Sequence, residues 1–199
     1  MPQVSASRSG RCPRCFMQPH LCLCQAMPTV TTQTQFVVIR HFKEAFRTTN
    51  TARLAALAMP SLVIHDYGSR YVPFDHAVIP EDAWLLFPCD ETHPAARPGV
   101  DPPPATVVVL DGTWGQARRM SHRIAALAHL PRFSPRPAAT PPRRVRKPPH
   151  PGGMATIEAI ARAVALLEGP REAEQLDALF DSMVAAVQQQ RGHIHVEKP

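Results

Sequence analysis

The chain has 199 residues, of which 44% are apolar, and 22 Lys and Arg against 16 Asp and Glu give a net charge of +6. This apolar content excludes a disordered chain, and five cysteines in such a length exclude a small disulfide-rich scaffold. No apolar run approaches the roughly 20 residues that span a bilayer, and the first residues lack the apolar core of a signal peptide. We therefore expect a cytoplasmic protein.

The order of the predicted elements is typical of an α/β protein. Continuous apolar runs predict strands over 35–39, 61–65, 83–87 and 106–110. Such runs are characteristic of strands buried on both faces, as in a parallel sheet. Helical patterns cover 51–59, 114–129, 155–168 and 171–190, and the segment 131–151 holds eight prolines and no predicted helix. We expect a mostly parallel sheet flanked by helices.

Four of the five cysteines fall within 13 residues, as Cys12-x-x-Cys15 and Cys22-x-Cys24. Four thiolates at this spacing suit a closed tetrahedral zinc site, which would fold a small N-terminal module without performing chemistry. An iron–sulfur cluster and four unligated thiols are the alternatives. Cys89 stands alone after a predicted strand, and we expect a buried or partly buried thiol there.

The strand over 106–110 runs directly into Asp111-Gly112-Thr113-Trp114 and then into a predicted helix. Ligands of open α/β sheets bind at the carboxyl ends of strands, where Asp111 would lie. Thr113 and Gln116 have the spacing of a capping box, and the free N–H groups of a helix start can hold a carboxylate or phosphate. Purely structural alternatives are a turn at Asp111, a cap at Thr113 and core packing of Trp114.

The positive charge is concentrated. No acid lies between Asp111 and Glu158, an interval that contains nine Lys and Arg residues, and three more arginines lie beside the first cysteine pair. A long stretch of one sign favours a nucleic-acid partner, because Lys and Arg displace counterions from phosphates. The alternative is an ordinary solvated surface.

Four blocks in this order resemble the DTW-domain family: CPRC…CLC, TNTARL, LDGTWGQARRM and RVRKPPHPGGMATIEAIA. The similarity is greatest to the bacterial tRNA-uridine aminocarboxypropyltransferases and covers the chain from about Cys12 to Gln190. It implies a SPOUT-like α/β fold with a C-terminal knot that binds S-adenosylmethionine. It also implies transfer of the 3-amino-3-carboxypropyl group of that co-substrate to N3 of a tRNA uridine, releasing 5′-methylthioadenosine. Residues 1–30 would form the tail and zinc module, and residues 31–199 the catalytic domain.

The resemblance and the strand-end positions together assign site residues. Asp111 is the candidate catalytic carboxylate, as a base or as an orienting group. The residues expected at S-adenosylmethionine are Phe87, Pro88, Leu110, Gly112, Thr113, Trp114, Thr156, Glu158 and Ala159. Those expected at tRNA are His41, Asn50, Thr51, Arg53, Arg118, Arg119, Arg144, Arg146 and Lys147. One position departs from the family pattern, since Phe42 follows His41 where proline is usual.

Two other functions fit the sequence. One is an RNA methyltransferase with the same fold and co-substrate, and the other is a non-enzymatic zinc-ribbon RNA-binding protein. A pure binding module would not need a strand-end Asp111 beside a helix cap, which favours an enzyme. The sequence points to no DNA or membrane partner, and it leaves open the modified tRNA position, the metal, the oligomeric state and the group that removes the N3 proton.

Overall fold

The computed structural model of the chain describes residues 10–136 and 153–192. Its strands are β1 (Gln35–His41), β2 (Leu62–Tyr67), β3 (Trp84–Leu86), β4 (Thr106–Asp111) and β5 (Arg132–Phe133). Its α-helices are α1 (Thr51–Ala58), α2 (Trp114–Arg123), α3 (Thr156–Leu167) and α4 (Pro170–Gln190). The strands form one sheet in the order β2-β1-β4-β3-β5, and every pairing is parallel. The predicted parallel sheet flanked by helices is thus confirmed.

Helices cover both faces of the sheet, which explains why the strands are continuous apolar runs. On one face, α1, α3 and α4 share a core with Val38 and Val109. On the other face, α2 shares a core with Ile39 and Leu110. Neighbouring residues of one strand therefore serve different cores, because side chains alternate across a sheet. Among the described residues, none of these helices has the length and apolarity required to cross a bilayer.

The connections that leave β1 and β4 lead to opposite sides of the sheet. From β1 the chain passes through α1 to β2 on one side, and from β4 it passes through α2 toward β5 on the other side. Adjacent strands whose connections leave in opposite directions open a crevice at their carboxyl ends, and ligands of open α/β sheets bind there. His41 ends β1 and Asp111 ends β4 at this crevice.

The structure departs from the predicted elements at two places. The helix predicted over 114–129 ends at Arg123, because Ile124 takes an extended conformation and its side chain is fully buried. The strand β5 was not predicted, because two residues inside a proline-rich segment are too short to show a pattern. The knot implied by the family resemblance stays a prediction, since the path of residues 137–152 lies outside the described part of the chain.

Candidate active site

Asp111 is the centre of a buried hydrogen-bond network that joins three elements. Its carboxylate accepts a hydrogen bond from Asn50 Nδ2 at 2.6 Å and another from Thr156 Oγ1 at 2.5 Å. Asn50 also caps α1, because its Oδ1 accepts from the backbone N–H of Arg53 at 2.9 Å. Thr156 is the first residue of α3. Three blocks that are far apart in the sequence therefore meet at one carboxylate.

The environment of Asp111 favours its protonated form. The residue is only 5% exposed, and burial raises the pKa of its carboxyl above the ordinary value. The hydrogen bonds from Thr156 and Asn50 lower the pKa, whereas the nearby negative charge of Glu44 raises it further. Glu44 is itself buried and pairs with Arg47, with 2.8 Å between Oε1 and Nε. A carboxyl with a perturbed pKa in a crevice is a candidate for acid–base chemistry.

The start of α2 is built on the predicted capping box. Thr113 Oγ1 accepts from the Gln116 N–H at 3.3 Å, and Gln116 Oε1 accepts from the Thr113 N–H at 2.7 Å. This orientation of the amide directs Gln116 Nε2 at His41 Nδ1, 3.3 Å away. Gly112 precedes the box, and a Cβ added to it would lie only 3.0 Å from the Cβ of Gln116. Because glycine has no side chain, its backbone can lie against Gln116.

These contacts determine which nitrogen of His41 carries the proton. His41 Nδ1 also accepts from the backbone N–H of Lys43 at 3.3 Å. Since both neighbours of Nδ1 are donors, the ring proton resides on Nε2. Burial lowers the pKa of His41, and the positive charges of Lys43 and Arg119 act in the same direction while Glu44 opposes them. At neutral pH, His41 is therefore a neutral imidazole with an Nε2–H donor.

Asp111 and His41 end adjacent strands but project to opposite faces of the sheet. In the β1–β4 register, Asp111 pairs with Arg40, so His41 lies one residue further along β1. Asp111 accordingly contacts α1 and α3, whereas His41 contacts α2. The candidate residues form two groups, one on each side of the carboxyl edge.

An aromatic pair borders the α2 side of the crevice. The rings of Phe87 and Trp114 are parallel within 9°, with centroids 5.6 Å apart. Trp114 is 41% exposed, so core packing alone does not account for it. The guanidinium of Arg132 lies 5.4 Å from the centroid of Phe87 and is almost fully buried. The pair offers a supported aromatic surface that is open to solvent.

Arg132 also organises the loop that follows β3. Its guanidinium donates to Asp90 Oδ2 at 2.9 Å and contacts His93 Nε2 at 2.8 Å, and its backbone N–H donates to the Pro94 carbonyl at 2.7 Å. Cys89, on the same loop, is exposed, whereas a buried or partly buried thiol was expected, because Arg132 holds this loop beyond the end of β3. Arg132 was not predicted to be a site residue, since nothing in a proline-rich segment marks an arginine as buried.

The four clustered cysteines lie together as predicted. Their Sγ atoms are all within 4.8 Å of one another, with 3.6 Å between Cys12 and Cys24 and 3.7 Å between Cys15 and Cys22. Thiolates about 2.3 Å from a tetrahedral zinc would be about 3.8 Å apart. The donor set fits a zinc ion.

Arg53 connects this cysteine cluster to the carboxyl edge of the sheet. Its guanidinium lies 3.7 Å from the ring centroid of Phe16, which is in the cysteine segment. The same group donates to the carbonyl of Arg47 at 2.9 Å and to the carbonyl of Ala45. Burial lowers the pKa of Arg53 to about 10. Its donors are thus directed at the protein backbone, although it was predicted to contact tRNA.

The remaining predicted residues fall into three sets. The first set holds elements in place. Leu110 lies in the α2-side core. Thr51 Oγ1 accepts from the Ile157 N–H at 3.5 Å, and Glu158 Oε2 accepts from the Ala155 N–H at 2.7 Å. Ala159 is half-buried on α3, and the exposed residues are Pro88, Arg118 and Arg119. Arg144, Arg146 and Lys147 lie outside the described residues.

Comparison with known proteins gives one family and named relatives. The family model described as "DTW domain" matches residues 9–188. A Drosophila melanogaster protein named tRNA-uridine aminocarboxypropyltransferase 2 is 26% identical over 178 residues, which are 85% of this chain and 71% of that protein. A Macaca fascicularis protein of the same name is 24% identical over 178 residues, 84% of this chain, so the chain spans only 60% of that relative. No solved structure matches.

Proposed function

Since the chain belongs to the DTW domain family, we propose that it transfers the 3-amino-3-carboxypropyl group of S-adenosylmethionine to N3 of a tRNA uridine and releases 5′-methylthioadenosine. The observation that supports this most is that two similar proteins carry the name of that activity and align over most of the chain. The position of the Asp111–Trp114 segment supports this proposal, because the segment begins at the end of β4 beside the crevice.

The residues around the crevice fit S-adenosylmethionine. The exposed ring of Trp114, backed by Phe87, suits stacking of a purine. The buried carboxyl of Asp111 suits a cation, and the N–H groups at the start of α2, capped by Thr113, suit a carboxylate. When bound, this co-substrate supplies an electrophilic carbon next to a sulfonium, whose thioether departs without needing a proton.

Attack by uridine N3 requires loss of its proton, and we assign that proton to Asp111. Each oxygen of the carboxylate accepts one hydrogen bond, from Asn50 or Thr156, and so retains a second lone pair. The raised pKa brings the carboxyl closer to the range of an effective base. Asn50 and Thr156 hold the carboxylate in one orientation, which is a positioning role.

His41 acts from the other side of the crevice. Its neutral ring presents an Nε2–H, since Nδ1 accepts from Gln116 and Lys43. Negative charge spreads onto the uracil carbonyl oxygens as N3 loses its proton, and a fixed N–H donor directed there stabilises it. His41 is therefore assigned as a donor to the base and not as the group that removes the proton.

The experiment that tests this function uses S-adenosylmethionine labelled at one of two positions. Label in the carboxypropyl chain should enter the tRNA and be recovered as a modified uridine by nucleoside mass spectrometry. Label in the methyl group should stay in the released thioadenosine. Transfer of the methyl label would instead establish a methyltransferase, and RNA binding with no transfer of either label would establish a binding protein.

Three finer points complete the proposal. The four-cysteine cluster holds a structural zinc that stabilises residues 12–24. The chain has a SPOUT-like fold with a C-terminal knot. The protein works in the cytoplasm, and tRNA is its macromolecular substrate.

A further inference from the structure

Two aromatic side chains outside the candidate site are strongly exposed at the same carboxyl edge. Phe46, on the segment that follows β1, is 82% exposed, and Tyr71, on the segment that follows β2, is 77% exposed. The two segments are neighbours, because β1 and β2 are paired and a Cβ on Gly68 would lie 3.7 Å from the His41 and Phe42 rings. Neither aromatic belongs to the two core clusters, so folding does not require them to be aromatic.

The charged groups around these rings are mainly positive. Lys43 and Arg70 are exposed on the same two segments, and the guanidinium of Arg70 lies 4.6 Å from the ring centroid of Tyr71. The nearby acids are neutralised within the protein. Glu44 is buried and pairs with Arg47, and Asp66, at the end of β2, pairs with Arg40 at 2.7 Å. The surface formed by residues 42–47 and 68–72 therefore combines exposed rings with positive charge.

We propose that Phe46 and Tyr71 stack on unpaired nucleotides of the RNA substrate beside the target uridine. Exposed aromatic rings among Lys and Arg are the usual platform for single-stranded nucleic acid, because every base has a flat face and every linkage a phosphate. This inference rests on the proposed function, and it identifies unpaired nucleotides as the part of the RNA that binds at the carboxyl edge of the sheet.

The chemistry of the target supports the same choice of partner. Uridine N3 lies on the base-pairing edge, so it reaches the crevice only when the nucleotide is unpaired. The nucleotides next to an unpaired uridine in a loop are also available for stacking. Arg118 and Arg119, exposed on α2, extend the positive charge along the edge on the other side of the crevice.

The test compares Phe46→Ala and Tyr71→Ala with a matched control, Val100→Ala. Val100 is an exposed apolar residue, 69% exposed, on the loop before β4 at the opposite edge of the sheet. Fluorescence anisotropy would measure binding of the full-length protein to tRNA, to a single-stranded RNA and to a duplex RNA of equal length. We expect each aromatic variant to bind single-stranded RNA and tRNA about 5- to 100-fold more weakly, as is typical for loss of one stacked base.

Two further measurements separate stacking from general electrostatics. The dependence of affinity on salt should be unchanged in Phe46→Ala and Tyr71→Ala, because no phosphate contact is lost, and shallower in Arg70→Ala. Tyr71→Phe should retain wild-type affinity. Thermal melting should be unchanged in all these variants, since the side chains are exposed.

Affinities equal to that of Val100→Ala, or an equal loss for duplex and single-stranded RNA, would overturn the inference. If the aromatic variants bind as tightly as Val100→Ala but the wild-type protein still transfers the carboxypropyl label, the proposed function remains supported. Failure of the wild-type protein both to bind tRNA and to transfer label would instead refute the proposed function, and this inference with it.

Discussion

We expect Asp111→Asn to remove most of the transfer activity while the protein stays folded. Asparagine has nearly the shape of aspartate, and its oxygen can still accept from Asn50 while the Thr156 hydroxyl turns to accept from the new amide. What is lost is the basic carboxylate. A positioned general base contributes typically about 10²- to 10⁴-fold to a rate, so we expect kcat to fall by that factor.

Asp111→Ala is a poor substitute for this experiment, although the sequence suggests it as the natural choice. The carboxylate accepts two short hydrogen bonds in a buried network. Alanine would leave Asn50 and Thr156 without their shared partner, and each buried polar group left unsatisfied costs roughly 1–3 kcal/mol, about 2–6 kcal/mol together. That loss is comparable to the whole stability of many domains, about 5–15 kcal/mol, and inactivity would then prove nothing about chemistry.

The difference in stability between Asp111→Asn and the wild type should depend on pH in a defined direction. Because burial raises the pKa of Asp111 in the folded state, its protonated form favours folding. This contribution is fully present below the unfolded pKa near ~3.9 and is lost as the pH rises through the folded pKa. Asparagine does not titrate, so the melting temperature of the variant relative to wild type should rise from acid to neutral pH.

The assay is single-turnover transfer of carboxypropyl label to tRNA, with circular dichroism melting of each variant between pH 4 and 8. Asn50→Ala and Thr156→Ala serve as comparisons, because they disturb the orientation of the carboxylate while removing hydrogen bonds that lower its pKa, so they do not weaken it as a base. A folded Asp111→Asn with kcat within about threefold of wild type, well short of the 10²-fold expected for a base, would refute the assignment of Asp111. A melting difference that falls with rising pH would refute the argument from burial.

Three further predictions concern the supporting structure. Cys15→Ser should remove the metal and lower the melting temperature, since four thiolates close the site. Elemental analysis should find one zinc per wild-type chain, and an unchanged metal content in the variant would contradict this prediction. Thr113→Ala should cost about 1 kcal/mol by loss of the cap on α2, whereas Thr113→Ser should keep most of it, as urea unfolding can show. Arg132→Met should raise the KM for S-adenosylmethionine about 2- to 10-fold by loosening Phe87 with little effect on kcat, and an unchanged KM would separate Arg132 from the aromatic pair.

The features that could be predicted from sequence are those with a local cause. Continuous apolar runs required strands buried on both faces, and the T-x-x-Q spacing of Thr113 and Gln116 predicted the capping box that begins α2. The spacing of the cysteines placed four Sγ atoms within reach of one metal. The position of Asp111 directly after a strand placed it at the ligand-binding edge.

The errors arose where the local pattern was weak or where the cause was a distant contact. β5 contains only Arg132 and Phe133, which is too short for periodicity to reveal. The helix predicted to continue to residue 129 ends at Arg123, because Ile124 is drawn into the core. Cys89 is exposed because Arg132, from another strand, positions its loop.

The sequence by itself determined the class of fold, the cluster of four thiols and the strand-end carboxylate, since each depends on residues close together in the chain. Only the tertiary structure decided that Asn50 and Thr156 hold Asp111, and that His41 faces the opposite side of the sheet with its proton on Nε2. These outcomes depend on the strand order and on side-chain alternation. The order of strands in a sheet is set by packing between distant segments, which local periodicity does not record.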